Sequence, residues 1–179
     1  TLEDQQVITN VLFNDDYEGN YGVDYTITST TNPANGTVVI NANGTITYIP
    51  DADFVGTDVY TYTVTINNPD GSTDTVTETV TIIVQPVQDA FNDVSTTTVN
   101  TPIVTNVVLN DTFQGNYGTD YTITTTSNPS NGTVIVNNDG TITYIPDPDF
   151  VGTDSYTYTI TVYHADGTIN TETATVTIT

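Results

Sequence analysis

The sequence predicts an all-β protein built from two similar domains in tandem. Two observations support this prediction. The chain repeats itself at an interval of 96 residues, and apolar residues alternate with threonine along most of its length. Over residues 3–83 and 99–179, 49 of 81 aligned pairs are identical and no gap is needed. This period is far longer than that of solenoid repeats, so each unit is expected to fold around its own core.

The alternation has a period of two, which is typical of strands with one buried face. In the second repeat it predicts seven strands, near residues 94–99, 103–109, 121–126, 133–137, 141–145, 155–163 and 170–178. Asn138-Asp139-Gly140 and Ala165-Asp166-Gly167 predict hairpin turns, because Asp-Gly pairs tolerate positive φ. No stretch shows the 3.6-residue period of a helix. Seven short strands favour a Greek-key β-sandwich of the immunoglobulin type.

A tyrosine near the start of the sixth strand supports this choice of sandwich. Asp154 precedes Tyr158 by four residues, and Asp58 and Tyr62 repeat the arrangement in the first repeat. Immunoglobulin-type domains place a tyrosine corner at this point. The alternative is that these tyrosines are simply core aromatics on a strand.

The repeat also suggests where the domains begin and end. We expect a first domain over residues 1–84, an acidic linker over 85–93 and a second domain over 94–179. The segment from Asp89 to Thr98 has almost no counterpart before Glu3, so the first domain is expected to lack its first strand. Truncation of a longer chain explains this absence. Supply of the strand by a neighbouring subunit is the alternative.

The charge of the chain excludes several classes of partner. It has no Lys and no Arg against 22 acidic residues, a formal net charge of −22. Nucleic acids and anionic membranes are excluded by the sign of this charge, and no apolar run is long enough for membrane insertion. Two carboxylates about 5 Å apart repel by roughly 3 kcal/mol at an effective dielectric near 20. Clustered Asp residues must therefore spread apart, take up protons or share cations.

Catalysis is not expected. The chain has one histidine, no cysteine and no basic residue other than that histidine, so triads, Schiff-base lysines and thiol nucleophiles are excluded or improbable. His164 also has no equivalent in the first repeat, where Asn68 stands. We therefore predict no enzymatic activity and no catalytic residues.

Several short motifs stand in a set order that resembles a known family. They include Asn106-Val-Val-Leu-Asn110-Asp111 and the run from Gly140 to Tyr158. Together they are similar to the cadherin-like or Ig-like tandem repeats, about 95 residues each, of giant bacterial cell-surface adhesins. The resemblance implies two Ig-like Greek-key sandwiches, an extracellular location on a bacterial cell surface and a calcium-dependent adhesin or stalk.

Acidic residues are predicted to gather where one repeat joins the next. In an immunoglobulin-type sandwich, the loops at one pole meet the incoming linker. The oxygen ligands expected there come from the linker and both domains: Asp51, Asp53, Asp89, Asn92, Asp93, Asp111 and Asp120. Such hard oxygen ligands, with no cysteine, point to Ca²⁺. For Asp147 and Asp149, the equivalents of Asp51 and Asp53 in the second repeat, a structural role in fixing their loop is an equal alternative.

These observations favour a stalk or spacer segment of a bacterial extracellular adhesin, stiffened by calcium at the junction between repeats. Adjacent repeats of the same chain are the expected partners. One alternative is an adhesion module that binds surface glycans or proteins through its loop tips. The other is a subunit of an extracellular filament.

Overall fold

The computed structural model describes all residues from Thr1 to Thr179 and consists of strands joined by turns and loops. The chain divides into two compact units, Thr1–Val87 (unit 1) and Gln88–Thr179 (unit 2). Residues 88–93, which belong to the predicted acidic linker, are therefore part of unit 2. Ala90 lies in the hydrophobic core of that unit and is 1% exposed.

Unit 1 contains six strands in two antiparallel sheets. The strands are β1 (Val7–Thr9), β2 (Tyr25–Thr30), β3 (Gly36–Ile40), β4 (Ile46–Pro50), β5 (Gly56–Asn67) and β6 (Thr73–Val84). One sheet has the order β1-β4-β3 and the other the order β2-β5-β6. Buried side chains from both sheets form a single hydrophobic core, so the unit is a β-sandwich.

Unit 2 repeats this plan with one additional strand. Its strands are β7 (Asp93–Ser95), β8 (Ile103–Asn106), β9 (Tyr121–Thr126), β10 (Gly132–Val136), β11 (Thr141–Pro146), β12 (Asp154–Tyr163) and β13 (Ile169–Ile178). The sheets have the orders β10-β11-β8 and β7-β13-β12-β9. The β7–β13 pair is parallel and every other pair is antiparallel. The predicted all-β fold, with two tandem Ig-like sandwiches, is confirmed.

Two predicted strands of unit 2 are shorter than the alternation suggested. The first, predicted over 94–99, ends at Ser95. A turn follows, in which Asn100 takes a φ of 59° and Thr101 N donates to Thr98 O, and Pro102 then offers no N–H for a ladder. The second, predicted over 103–109, ends at Asn106, where the chain turns toward the loop that carries Asp111.

The two predicted hairpin turns are present. Gly140 and Gly167 both have a φ of 84°, which a residue with a Cβ adopts only under strain. In each turn the preceding aspartate stabilises the bend, because Asp139 and Asp166 accept hydrogen bonds from the backbone N–H two residues later at 3.1 and 2.8 Å.

Of the two alternatives for Tyr158, the structure agrees with a core aromatic on a strand and not with a tyrosine corner. Tyr158 is fully buried on β12, and its hydroxyl donates to the carbonyl of Val107, 51 residues upstream, at 2.9 Å. Asp154 is instead paired with Tyr144 of β11, whose hydroxyl donates to Asp154 Oδ2 at 3.0 Å. Tyr158 is therefore a core aromatic whose polar end reaches the loop after β8, and this position brings it to the acidic residues described next.

Candidate functional site

Four carboxylates of unit 2 lie close together, and we call them the acidic cluster: Asp89, Asp93, Asp111 and Glu172. Asp89 lies in the segment before β7, Asp93 is the first residue of β7, Asp111 lies in the loop after β8, and Glu172 lies within β13. Three separate parts of the chain therefore converge at one end of the sandwich. Asp89, Asp93 and Asp111 were predicted from the sequence, and Glu172 was not.

Glu172 holds the segment that carries Asp89. Its Oε2 atom accepts hydrogen bonds from the backbone N–H groups of Asp89, at 2.9 Å, and Ala90, at 2.7 Å. These two donors bring an oxygen of the Asp89 side chain to within 4.8 Å of one on Glu172. Two like charges at this separation repel, so the arrangement needs a compensating proton or cation.

Asp89 is buried with only one of its side-chain oxygens hydrogen bonded. The side chain is 5% exposed, and Thr112 donates its hydroxyl to Oδ1. Thr112 N also donates to Asp89 O at 3.1 Å, which fixes the backbone of both segments. The other carboxylate oxygen, Oδ2, is buried and has no hydrogen-bond partner. A buried carboxylate oxygen without a donor is costly, and a metal ion would compensate it.

The hydroxyl of Tyr158 is surrounded by more acceptors than it can satisfy. It lies 2.9 Å from Val107 O, 3.2 Å from Phe91 O, 3.2 Å from Asp93 Oδ2 and 3.3 Å from Asp111 Oδ2. A phenol has a single hydrogen to donate, so it can serve one of these oxygens at a time. The remaining oxygens form a region of strongly negative potential.

The pKa values of two cluster residues reflect this crowding. Burial raises the pKa of Asp93 from 3.8 to about 6, and the charge of Asp111 adds to the rise while the Tyr158 hydrogen bond opposes it. Burial also raises the pKa of Asp111, helped by the charges of Glu172 and Asp89 and opposed by hydrogen bonds from Phe91 N and Tyr158. Both side chains therefore take up protons more readily in the folded chain than in the unfolded chain, as expected for buried carboxylates that lie close to other negative charges.

The segment before β7 is held in place by side-chain hydrogen bonds. Asn92, predicted as a metal ligand, accepts a bond from Thr175 N on its Oδ1 at 2.9 Å. Asn110 donates to Asn92 O at 3.1 Å, and Phe91 N donates to Asp111 Oδ1 at 2.8 Å. The oxygens of Asp89 and Asp93 are thus presented by a fixed backbone.

The remaining predicted ligands have local roles within their own units. Asp120 accepts a hydrogen bond from Asn116 N at 2.7 Å and closes the loop before β9. In unit 1, Asp53 is buried and takes a φ of 54°, with its N–H donating to Asp4 Oδ1 at 3.1 Å. Asp51 is exposed, and its N–H donates to Asn35 O at 2.9 Å. Both contacts are made by backbone N–H groups, so they assign no role to the carboxylates of Asp51 and Asp53.

Unit 1 contains only part of the same arrangement. Tyr62 occupies the position of Tyr158, and its hydroxyl lies 3.0 Å from Val11 O and 3.2 Å from Asp15 Oδ2. Where unit 2 has Glu172, unit 1 has Val76. The two units therefore share the tyrosine and one aspartate, and differ at the position of Glu172.

Glu172 and the Tyr158 hydroxyl are the components that sequence reasoning missed. Glu172 lies on a strand where the residues on either side are threonines, so it resembles an ordinary exposed position. The only sequence feature that distinguished Glu172 was the comparison of the repeats, because the first repeat has Val76 at this position. The Tyr158 hydroxyl gave no signal, because a tyrosine in a period-two pattern indicates only that its ring is buried.

The acidic cluster offers carboxylate, carbonyl and hydroxyl oxygens, and no nitrogen or sulfur ligand. This donor set suits a hard cation such as Ca²⁺, which takes 6–8 oxygens at 2.3–2.6 Å. The partnerless Oδ2 of Asp89 and the crowded acceptors around Tyr158 are the features that fit such an ion. The residues able to hold it are Asp89, Asp93, Asp111 and Glu172.

Solved structures with detectable likeness to this chain come from different kinds of protein. One is an endo-fucoidan hydrolase of glycoside hydrolase family 107, with 19% identity and a TM-score of 0.30 over 99% of this chain and 31% of that one. Another is mouse protocadherin-24, with 14% identity and a TM-score of 0.29 over 87% of this chain and 57% of that one. A third is the SGBP-B protein of the mixed-linkage glucan utilization locus of Bacteroides ovatus, in complex with a mixed-linkage heptasaccharide. It has 15% identity and a TM-score of 0.28 over 100% of this chain and 48% of that one. The chain spans between about a third and somewhat over half of these proteins, and scores this low carry no inference about function.

No curated protein matches this chain. The structure has no helix with the length and apolar character needed to cross a bilayer. The sequence model of the bacterial Ig domain matches twice, over residues 1–83 and 84–179. Domains of this family are a non-catalytic type of module and are typically extracellular. The predicted resemblance to Ig-like tandem repeats of bacterial proteins is thereby confirmed, and the chain belongs to the bacterial Ig domain family, with two of its domains in tandem.

Proposed function

We propose that the chain is a spacer segment of a bacterial cell-surface adhesin, and that calcium bound at the acidic cluster limits bending where the two domains join. It has no catalytic role. The observation that carries the calcium proposal is the buried Asp89 Oδ2 without a hydrogen-bond partner. An oxygen of the Asp89 side chain lies within 4.8 Å of one on Glu172, the charges of both act on Asp111, and the chain has no Lys or Arg to neutralise them.

The position of the cluster along the chain links calcium to stiffness. Unit 1 ends at Val87 and Asp89 follows two residues later, so the connecting segment is the same segment that supplies Asp89 and Asp93. An ion shared between this segment and Asp111 would anchor it to unit 2. Without the ion, repulsion among the carboxylates would loosen the segment and allow the domains to move more freely.

Small-angle X-ray scattering with calcium and with a chelator tests this mechanism. We expect a narrower distribution of interatomic distances in calcium than in chelator. The variant Asp111→Asn should reduce that difference, since it removes one ligand. Asp15→Asn is the matched control, because Asp15 stands at the equivalent position of unit 1, where Val76 replaces Glu172.

Identical scattering curves in calcium and chelator would contradict the mechanical role. Equal responses of the two variants would contradict the assignment of the ion to unit 2. Circular dichroism of each variant verifies that the strands are retained.

A further inference from the structure

The dipeptide Asn-Gly occurs at three places in the chain, and the three copies lie in different surroundings. They are Asn35-Gly36, Asn43-Gly44 and Asn131-Gly132. Asn35 and Asn131 stand immediately before β3 and β10, whereas Asn43 lies in the turn between β3 and β4. Asparagine before glycine is prone to internal attack by the following peptide nitrogen, because glycine has no Cβ to obstruct the approach.

The copy before β3 is held on both sides of the susceptible bond. Asn35 is 3% exposed, its N–H donates to Asp58 Oδ2 at 3.0 Å, and its carbonyl accepts the Asp51 N–H at 2.9 Å. Gly36 is paired with Pro50 in the ladder between β3 and β4. The side-chain amide of Asn35 can therefore reach the Gly36 nitrogen only if this end of the strand opens.

The copy before β10 in unit 2 has the same restraints. Asn131 N donates to Asp154 Oδ2 at 2.8 Å, and its carbonyl accepts the Asp147 N–H at 2.8 Å. Gly132 is paired with Pro146. Two of the three Asn-Gly pairs are thus fixed by the sandwich itself.

The third copy lies in an exposed turn. Asn41 N donates to Thr45 O at 2.8 Å and Gly44 N donates to Asn41 O at 3.0 Å, and these two bonds close the turn. The side chain of Asn43 is exposed, and its Oδ1 accepts bonds from Thr45 N at 3.3 Å and Thr45 Oγ1 at 2.8 Å. Because Oδ1 is bonded to the residue two positions later, the side chain lies alongside the intervening Gly44 peptide unit.

Unit 2 contains the acidic form of the same turn. Asp139 stands where unit 1 has Asn43, and it is also exposed. Its Oδ1 accepts bonds from Thr141 N at 3.1 Å and Thr141 Oγ1 at 2.7 Å. The bonds from the Thr141 hydroxyl and N–H lower the pKa of Asp139, so this turn favours an ionised carboxylate. An aspartate at position 43 would find the same two donors in Thr45.

We propose that Asn43 is a site of spontaneous deamidation, through which the exposed turn of unit 1 acquires the acidic form found in unit 2. The Gly44 nitrogen bonds to the side-chain carbonyl carbon of Asn43. The amide C–N bond breaks, and ammonia leaves with the proton from the Gly44 nitrogen. The product is a cyclic succinimide, which water then opens. Hydrolysis at the side-chain carbonyl gives aspartate, and hydrolysis at the main-chain carbonyl gives isoaspartate.

The two products have different consequences for unit 1. Aspartate keeps the backbone of the turn and adds one negative charge to the exposed loop. Isoaspartate inserts an extra methylene into the main chain, so the two bonds that close the turn between Asn41 and Thr45 cannot both be kept. We therefore expect only the isoaspartate form to weaken the hairpin of β3 and β4.

Peptide mapping by mass spectrometry, applied to the full chain during incubation at mildly alkaline pH, tests the proposal. We expect the peptide that contains Asn43 to gain the mass of the acid at least about tenfold faster than those that contain Asn35 and Asn131, because strand ends open rarely. The same chain unfolded in denaturant is the control. There the three asparagines should convert at similar rates, since the fold no longer protects two of them.

The variant Asn43→Asp supplies a standard for the aspartate product. It should show no mass change in this peptide, and its unfolding midpoint should match that of the parent chain. Faster conversion at Asn43 in the folded chain, with similar rates in the unfolded chain, supports the proposal. Equal rates in the folded chain, earlier conversion at Asn35 or Asn131, or conversion at Asn43 only after unfolding would overturn it.

Discussion

Replacing Asp154 with alanine is expected to destabilise unit 2 by about 3–5 kcal/mol, the largest effect of any single substitution considered. Asp154 is 5% exposed and its two oxygens accept four hydrogen bonds. The donors are Ser130 N at 3.1 Å, Asn131 N at 2.8 Å, Ser155 N at 2.9 Å and the Tyr144 hydroxyl at 3.0 Å. Alanine would leave the three partly buried N–H groups without this acceptor, while the Tyr144 hydroxyl would keep only Asn131 O, at 3.0 Å.

The pKa of Asp154 supports this reasoning. Burial alone would raise it, but the hydrogen bonds from Asn131, Ser130, Ser155 and Tyr144 outweigh burial and the pKa is lowered. A carboxyl whose pKa is lower in the folded state stabilises the fold above its unfolded pKa. That contribution is lost as the pH falls through the lower, folded value. The ionised side chain is therefore part of the native structure at neutral pH.

Unit 1 provides a replicate of this experiment. Asp58 accepts the equivalent bonds from Ala34 N, Asn35 N, Val59 N and the Tyr48 hydroxyl, each at 3.0 Å. Asp58→Ala should therefore destabilise unit 1, and hydrogen exchange should locate each loss in its own unit. Asp147→Ala removes one charge from an exposed position and is the control. Calorimetric midpoints for Asp154→Ala and Asp147→Ala that agree within 2 °C, roughly the shift from half a kcal/mol, would refute the prediction.

Calcium is expected to stabilise unit 2 by about 2.7 kcal/mol when its concentration is a hundred times the dissociation constant. The proposed site needs Asp89, Asp111 and Glu172 to converge, which requires the folded chain. Thermal unfolding of the full chain in calcium and in chelator measures the effect, and hydrogen exchange assigns it to unit 2. An increase in stability confined to unit 1 would contradict the assigned site.

The pH dependence of stability in chelator gives an independent check on the cluster. The pKa of Asp93 is raised to about 6 in the folded state, so the folded chain binds more protons than the unfolded chain between about pH 4 and 6. The stability contributed by Asp93 is therefore fully present below this range and is lost as the pH rises through about 6. Saturating calcium should weaken this dependence, because the ion replaces the proton.

Asp93→Asn separates this contribution from others. The neutral amide mimics the protonated carboxyl, so the variant should be more stable than the parent at pH 7 in chelator and should bind calcium less well. A variant with the parent's pH profile in chelator would show that Asp93 does not carry the uncompensated charge.

Much of the fold could be predicted from alternation and turn residues. The pattern of β12, with Tyr156, Tyr158 and Ile160 buried and threonines between them, needs only the period of two. The ends of the strands were harder to predict, because they depend on interactions with residues outside the local sequence pattern. The segment from Thr96 to Val99 consists of β-branched residues that favour a strand, yet a turn with positive φ at Asn100 ends the pairing.

The candidate site was predictable in part for a similar reason. Asp89, Asp93 and Asp111 follow from counting strands and knowing which loops share a pole. The contribution of Glu172 depends on the register of β13 against the segment before β7, which no single segment encodes. The hydrogen-bond partners of Tyr158 likewise follow from the packing of its ring, because that packing determines the position of the hydroxyl.

The absence of basic side chains shapes how this chain buries charge. With no Lys and no Arg, its buried aspartates cannot form salt bridges with side-chain cations other than His164. Asp58 and Asp154 are instead satisfied by backbone N–H groups and tyrosine hydroxyls. Asp89 lacks such a donor on one oxygen, and this contrast between well-satisfied and poorly satisfied aspartates distinguishes the acidic cluster from the structural carboxylates.

Isothermal titration of the full chain with calcium at pH 7 tests the central claim most directly. We predict binding in the range of extracellular calcium modules, with a dissociation constant on the order of 10⁻⁴–10⁻³ M. The double variant Asp89→Asn, Asp111→Asn should lose this binding, and Asp15→Asn should retain it. Absence of binding by the parent chain at about ten times that concentration range, or equal binding by all three proteins, would contradict a calcium site at the acidic cluster.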